Sequence, residues 1–294
     1  MLIDPYIQQI LVTIGIGIIL AQGLNIITGL TGQLSLGHAA FMSIGAFSGA
    51  LLTIKAGLPF PLVVLAGGMT AAVAAVLVGW PILRLTGDYL AICTLGFAEI
   101  VKVVFLNLDI TNRAFGLTVP PPATSVPLPL TVLASALLVS LASQSIRCSR
   151  FGRALMAIRD DEIAAAAAGI DVARHKVRAF GVSAFMAGVG GCLYAHVLGY
   201  INPSDFGFLK SVDMLAMVVL GGLGSVPGAV LGAAFLGAAP ELLRFMASYR
   251  MLVYGAMLVA LMVFRPDGLL GGINLWDFAL RKLGRTSQRT RGEN

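Results

Sequence analysis

The stretch GRALMAIRDDEIAAAAAGIDVARHKVRAF, from Gly152 to Phe180, interrupts a chain that is otherwise strongly apolar. Seven basic and four acidic residues stand between Gln144 and Arg178, around five alanines closed by Gly169. On both sides the sequence returns to long apolar runs. A polar island between such runs reads as a loop outside a membrane, joining segments that lie within it.

The whole composition agrees. Of 294 residues, 57% are hydrophobic and 12% charged, against about 25% charged in an ordinary soluble domain. Mean hydropathy is +0.90. The chain is therefore expected to be an all-α, polytopic transmembrane bundle forming a single domain over residues 1–294. The N-terminal MLIDPYIQQI moves directly into the first apolar run with nothing basic before it, so no cleavable leader is expected. Nucleic-acid binding is a poor reading, because the bases fall in loops between apolar runs and not on one face. Cys93, Cys148 and Cys192 have no metal-ligand spacing and read as packing residues.

A helix needs about 20 apolar residues to cross the hydrocarbon core. Nine candidate spans follow, at residues 7–27, 35–53, 60–79, 88–107, 127–143, 178–200, 211–221, 228–244 and 250–264. The seventh is too short for a simple crossing and reads as a half-helix or as part of its neighbour. Residues 28–37 (TGLTGQLSLG) are glycine-broken, so the first two spans are also candidates for discontinuity. With the polar loop 144–177 in the cytoplasm, the inner side holds fourteen of the twenty Lys and Arg residues, including six in the tail 265–294. That bias places the C-terminus in the cytoplasm and the N-terminus outside, in an inner membrane.

The glycines cluster inside and beside the apolar runs. Small residues let helices approach closely in lipid, and they permit broken helices where protein or a watery cavity covers the exposed backbone. GGLGSVPG at 221–228 is read as a functional turn built on Gly221, Gly222, Gly224 and Pro227. GLTGQLSLGHAAF and GGLGSVPGAVLGAAF resemble each other faintly, and both turn at the inner side in this topology.

Enzymatic signatures fail one by one. The three histidines are far apart and outside any metal motif. There is no nucleophile elbow and no P-loop, so no catalytic residue, metal or cofactor is assigned. Ionisable residues within a membrane are functional candidates. Glu99 and Lys102 share one helix face and read as a mutually neutralising pair; Glu241 and Arg244 repeat that spacing. Asp213 stands near the start of the short seventh span, where an interfacial position is equally good. Asn25, Thr28, Thr31, Gln33, Ser35 and His38 cluster among glycines. They suit either a polar substrate route or helix–helix hydrogen bonds of roughly 0.6–2 kcal/mol each.

In the polar loop, Asp160 to Ala168 reads as a short surface helix, with acids at its start and Gly169 at its end. Its small-residue face suits insertion into a groove on another protein. Acids at 160–162 argue against a helix lying on anionic lipid.

GLNIITGLTGQLSLGHAAFMSIGAF, TGDYLAICTLGFAEIVK, the opening stretch, VVLGGLGSVPGAVLGA and FRPDGLLG together resemble bacterial ABC-importer permeases of the branched-chain amino acid family. The likeness covers nearly the whole chain in order. It implies a coupling loop like the E-A-A…G loop of ABC importers, with Glu162, Ala164, Ala165 and Gly169 near its marked places and Ile163 interrupting the acid–alanine step. Arg153, Arg159, Asp160 and Asp161 flank that element. TNRAFGLTVPPP departs from the resemblance, since Arg113 and Ala114 stand where glycine is more usual. Implied partners are a second, similar permease subunit, two ATPase subunits, a periplasmic binding protein and the bilayer. Other substrates of such permeases are urea, amides and aromatic acids. A carrier or channel working alone is the competing class.

Overall fold

The computed structural model describes residues 5–83, 85, 87–122, 126–242, 255 and 259, and the side chains of 6–83, 85, 87–122, 126–239, 255 and 259 within them. The ninth expected span apart from residues 255 and 259, the C-terminal tail, and the side chains of the Glu241–Arg244 pair fall outside these.

Helix α1 (Pro5–Leu24) runs on into a π-helical segment, Asn25–Leu30, and then an irregular stretch before α2 (His38–Ala56) begins. Gly57, at φ 56°, ends α2. Helix α3 (Phe60–Ile82) starts behind Pro59, and α4 (Asp88–Asn107) follows. Next come a two-residue strand β1 (Leu117–Thr118) and α5 (Leu128–Cys148). The polar loop holds α6 (Arg150–Asp160) and α7 (Glu162–Ala167). After it run α8 (Val172–Leu198), β2 (Tyr200–Ile201), α9 (Phe208–Gly221) and α10 (Val226–Leu242).

Among the described residues, six helices are long and apolar enough to cross a membrane, and they correspond to the first six expected spans. Within the described residues the expected total of nine is not confirmed. Helix α9 has 14 residues, short of the roughly 20 a simple crossing needs; α10 is described over 17 residues, up to Leu242, where the described segment stops.

Strands β1 and β2 pair antiparallel, Leu117 opposite Ile201 and Thr118 opposite Tyr200. This ribbon ties the α4–α5 connection to the α8–α9 connection at one end of the bundle; α6 and α7 mark the other. Asn112 and Arg113 adopt left-handed backbone at φ 59° and 52°. Glycine takes that conformation at no steric cost, which is the physical sense of a region where relatives are expected to be richer in glycine. Arg113 is held there by Asp109, 2.6 Å away.

Helix α8 is the centre of the bundle, packed by α1, α2 and α3. The contacts are backbone to backbone. A Cβ added to Gly45 on α2 would lie 2.3 Å from the Gly188 Cα, and one on Gly191 would lie 2.0 Å from the Met42 carbonyl oxygen. On α4, Lys102 pairs with Glu99 at 3.1 Å, as their spacing predicts.

Candidate functional site

The polar loop is two helices, not one. Helix α6 is amphipathic and buries Gly152, Leu155 and Ile158. Leu155 joins Ile26 and Leu30 of the π-helical segment and Met186 of α8 in one apolar cluster. Asp160 closes α6, so the expected single helix from Asp160 is corrected: α7 starts at Glu162. The reason lies in Asp161, whose extended backbone breaks the helix while its Oδ1 accepts from the amides of Ile163 (2.8 Å) and Ala164 (3.0 Å). Replacing such a cap by alanine costs about 0.5–2 kcal/mol. Asp161→Ala is therefore expected to speed hydrogen exchange in α7 while leaving α8 protected; equal exchange in both variants would remove the cap from this account.

Gly169 ends α7, as expected. It sits at φ +85°, donates to Ala166 O at 3.0 Å, and is followed by Ile170 donating to Ala165 O at 3.1 Å. These two bonds define a Schellman stop. Asp171 then caps α8 through the Arg174 amide.

Helix α7 has one buried and one exposed face. Ala165 is 4% exposed and packs on its own chain. Ala164, Ala166 and Ala167 are exposed, and Ile163 projects with 84% of its surface open. The residue that interrupts the expected pattern is thus the most prominent apolar group on the helix. The sequence offered its signal, a lone large apolar residue among alanines. Glu162 reaches across to Lys176 of α8, an ion pair in which the lysine is 3% exposed. Arg153 donates to the Cys148 carbonyl at 2.9 Å and stays at the surface.

Arg159 points the other way. Its Nη1 donates to the Gly29 carbonyl at 2.7 Å. Gly32, at φ +70°, packs on the same side chain, and Gly224 lies beside the guanidinium. The second glycine turn meets the first at this place. Gly221 ends α9, Gly222 and Gly224 take φ 108° and 79°, and Pro227 stands in the first turn of α10. Asn25 bridges the two turns, accepting from the Gly224 amide at 2.8 Å and donating to the Ser225 carbonyl at 3.3 Å. Gln22 donates to Val226 O at 2.8 Å. A Cβ on Gly29 would lie 2.3 Å from the Gly224 nitrogen.

The polar cluster separates accordingly. Asn25 serves helix–helix bonding, and Thr31 bonds back to the Ile27 carbonyl. Thr28, Gln33, Ser35 and His38 are buried, and among the described residues their side-chain polar atoms have no hydrogen-bond partner. Buried polar groups are normally satisfied. These four, at the break between α1 and α2, are therefore the exception within the buried polar set.

The family described as branched-chain amino acid transport system, permease component, matches residues 6–262. The high-affinity branched-chain amino acid transport system permease protein LivM of Escherichia coli (strain K12) is 38% identical over 285 aligned residues, taking in 86% of this chain and 67% of that protein. LivH of Salmonella typhimurium, a permease protein of the same description, is 38% identical over 128 residues, covering 43% of this chain and 41% of its own. No solved structure matches the chain significantly. With both the family match and the LivM likeness running across most of its length, the chain belongs to the branched-chain amino acid transport system permease family.

Proposed function

We propose that the chain is a membrane permease subunit of an ATP-binding-cassette importer, carrying branched-chain amino acids delivered by a periplasmic binding protein. The relatives' names support the substrate, and likeness to both LivM and LivH supports a pair of similar permease subunits. The chain has no P-loop, so two separate ATPase subunits supply the nucleotide sites and this subunit catalyses no reaction. The α6–α7 end faces the cytoplasm of the inner membrane and the N-terminus faces outside, in line with the loop charges.

One observation carries the reading: α7 is a short helix capped at both ends, with an exposed small-residue face. Ile163 is its anchor, suited to a groove on an ATPase. Closure of the ATPases moves α7. Glu162–Lys176 passes that motion into α8, and Arg159 passes it into the joined glycine turns. The broken stretch, with Thr28, Gln33, Ser35 and His38, lines the substrate route.

The test is affinity purification of the tagged chain from its native cells in mild detergent. A second permease and two P-loop ATPases are expected to co-purify. Ile163→Asp, and Gly169→Trp, are expected to lose the ATPases while keeping the second permease. A chain that purifies alone and moves solute when reconstituted is a carrier or channel, and the proposal fails.

A further inference from the structure

A cavity of about 330 Å³ opens between α1, α5, α8, α9 and α10, at the ribbon end and away from the glycine junction. That volume is at the small end of the roughly 300–1,000 Å³ typical of small-molecule sites. Its walls are mostly aliphatic, with Val12 and Ile16 from α1 and Met214 and Met217 from α9. Gln8, Gln9 and Thr13 of α1 add neutral polar groups, and Lys210 and Asp213, both on α9, are the two charges in the lining.

Their spacing puts them side by side on one helix face. Yet no ion pair joins them, and among the described residues no hydrogen bond or ion pair reaches the Asp213 carboxylate. The Lys210 ammonium lies over the Tyr194 ring, 5.2 Å from its centre. Asp213 and Asp205 both attract the Lys210 ammonium, but neither closes to an ion pair as Glu99 and Lys102 do at 3.1 Å. Lys210 also stands in the first turn of α9, where a cation opposes the helix dipole. Helix stability therefore does not explain it. The positive helix end and the ammonium together make a place for an anion.

From this geometry we infer that the cavity is a binding subsite for a zwitterionic α-amino acid with an aliphatic side chain. Lys210 and the start of α9 take the carboxylate, Asp213 takes the ammonium, and the Val12–Ile16–Met214–Met217 wall takes the side chain. An α-amino acid carries both charges on one carbon, so its site needs a cation and an anion as neighbours within an apolar pocket. The inference rests on the substrate class proposed above and names where this chain holds it.

The test uses the complete transporter in membrane vesicles. Thr13, on the cavity wall, is changed to cysteine after Cys93, Cys148 and Cys192 are replaced by alanine, and its labelling by a maleimide is timed. Leucine is expected to slow labelling. 4-Methylpentanoate, which lacks the ammonium, and 3-methylbutylamine, which lacks the carboxylate, are expected not to at the same concentration. Lys210→Gln and Asp213→Asn are each expected to raise the leucine concentration needed by about tenfold or more, the loss of one charge-assisted contact. Labelling without leucine shows that each variant keeps the cavity. A pair serving only the fold would import normally in the doubly neutral Lys210→Met/Asp213→Leu variant, and normal import there overturns the inference. So does leucine failing to protect a transporter that imports it. A wild-type transporter that neither imports leucine nor is protected by it instead overturns the substrate proposed above.

Discussion

Gly45→Val is expected to leave little folded protein in the membrane. Gly45 faces Gly188 across the α2–α8 contact, and an added Cβ would lie 2.3 Å from both the Gly188 Cα and its carbonyl oxygen. No side chain can rotate aside, because the obstacle is backbone. Overpacking a core costs about 1–3 kcal/mol when side chains can adjust; here α2 must separate from α8, and with it the close approach of Gly191 to Met42. Lipid offers little hydrophobic drive to restore the contact. The measurement is the monodisperse fraction after detergent extraction and a heat step, compared with Gly96→Ala. Gly96 lies within α4 with nothing within 4 Å of an added Cβ, so alanine there is expected to be neutral or to stabilise by up to about 1 kcal/mol. If Gly45→Val survives heating as well as Gly96→Ala, the α2–α8 glycine contact is not what holds the bundle.

Arg159→Gln is expected to cut uptake by about tenfold or more while the ATPases remain bound, since a hydrogen bond from a charged donor is worth roughly 1.5–3 kcal/mol and 1.4 kcal/mol is a tenfold change in equilibrium. Arg159 is the hydrogen-bonding contact from the α6–α7 loop to the glycine junction, through Gly29 O at 2.7 Å, beside the apolar packing of Leu155 on Ile26 and Leu30. Without it α7 still docks, but its displacement no longer reaches the break between α1 and α2. Arg159→Lys keeps the charge with a different donor geometry and is expected to recover part of the activity. Uptake and ATPase co-purification, measured at matched expression, separate the outcomes. Normal uptake removes the link, whereas loss of the ATPases makes Arg159 a docking residue instead.

Much of this was legible without coordinates. The first six spans follow from apolar runs measured against a membrane's thickness, a property local to each run. Gly169 as a helix stop is local too: five alanines favour helix, and a glycine at positive φ ends it. Glu99 and Lys102 meet because helical spacing dictates it. The start of α7 was misplaced by two residues, since the sequence does not say which of two adjacent aspartates will cap.

Other features depend on which segments become neighbours. Nothing near Asn25 announces that it bridges to Gly224 and Ser225, about 200 residues away. The inward turn of Ala165, with Ile163 left exposed, depends on where α7 lies against α8. Asp213 reads as interfacial in the sequence until α1 and α8 close a cavity over it and Lys210. By itself the sequence determined an apolar helical bundle, its polar handle and the family to which they belong, because helix length, capping and hydropathy act within one segment. Only the tertiary structure decided that Arg159 touches two glycine turns at once, and that two unpaired charges share an aliphatic pocket. In lipid those neighbours are selected by backbone fit between small residues, a signal that hydropathy does not carry.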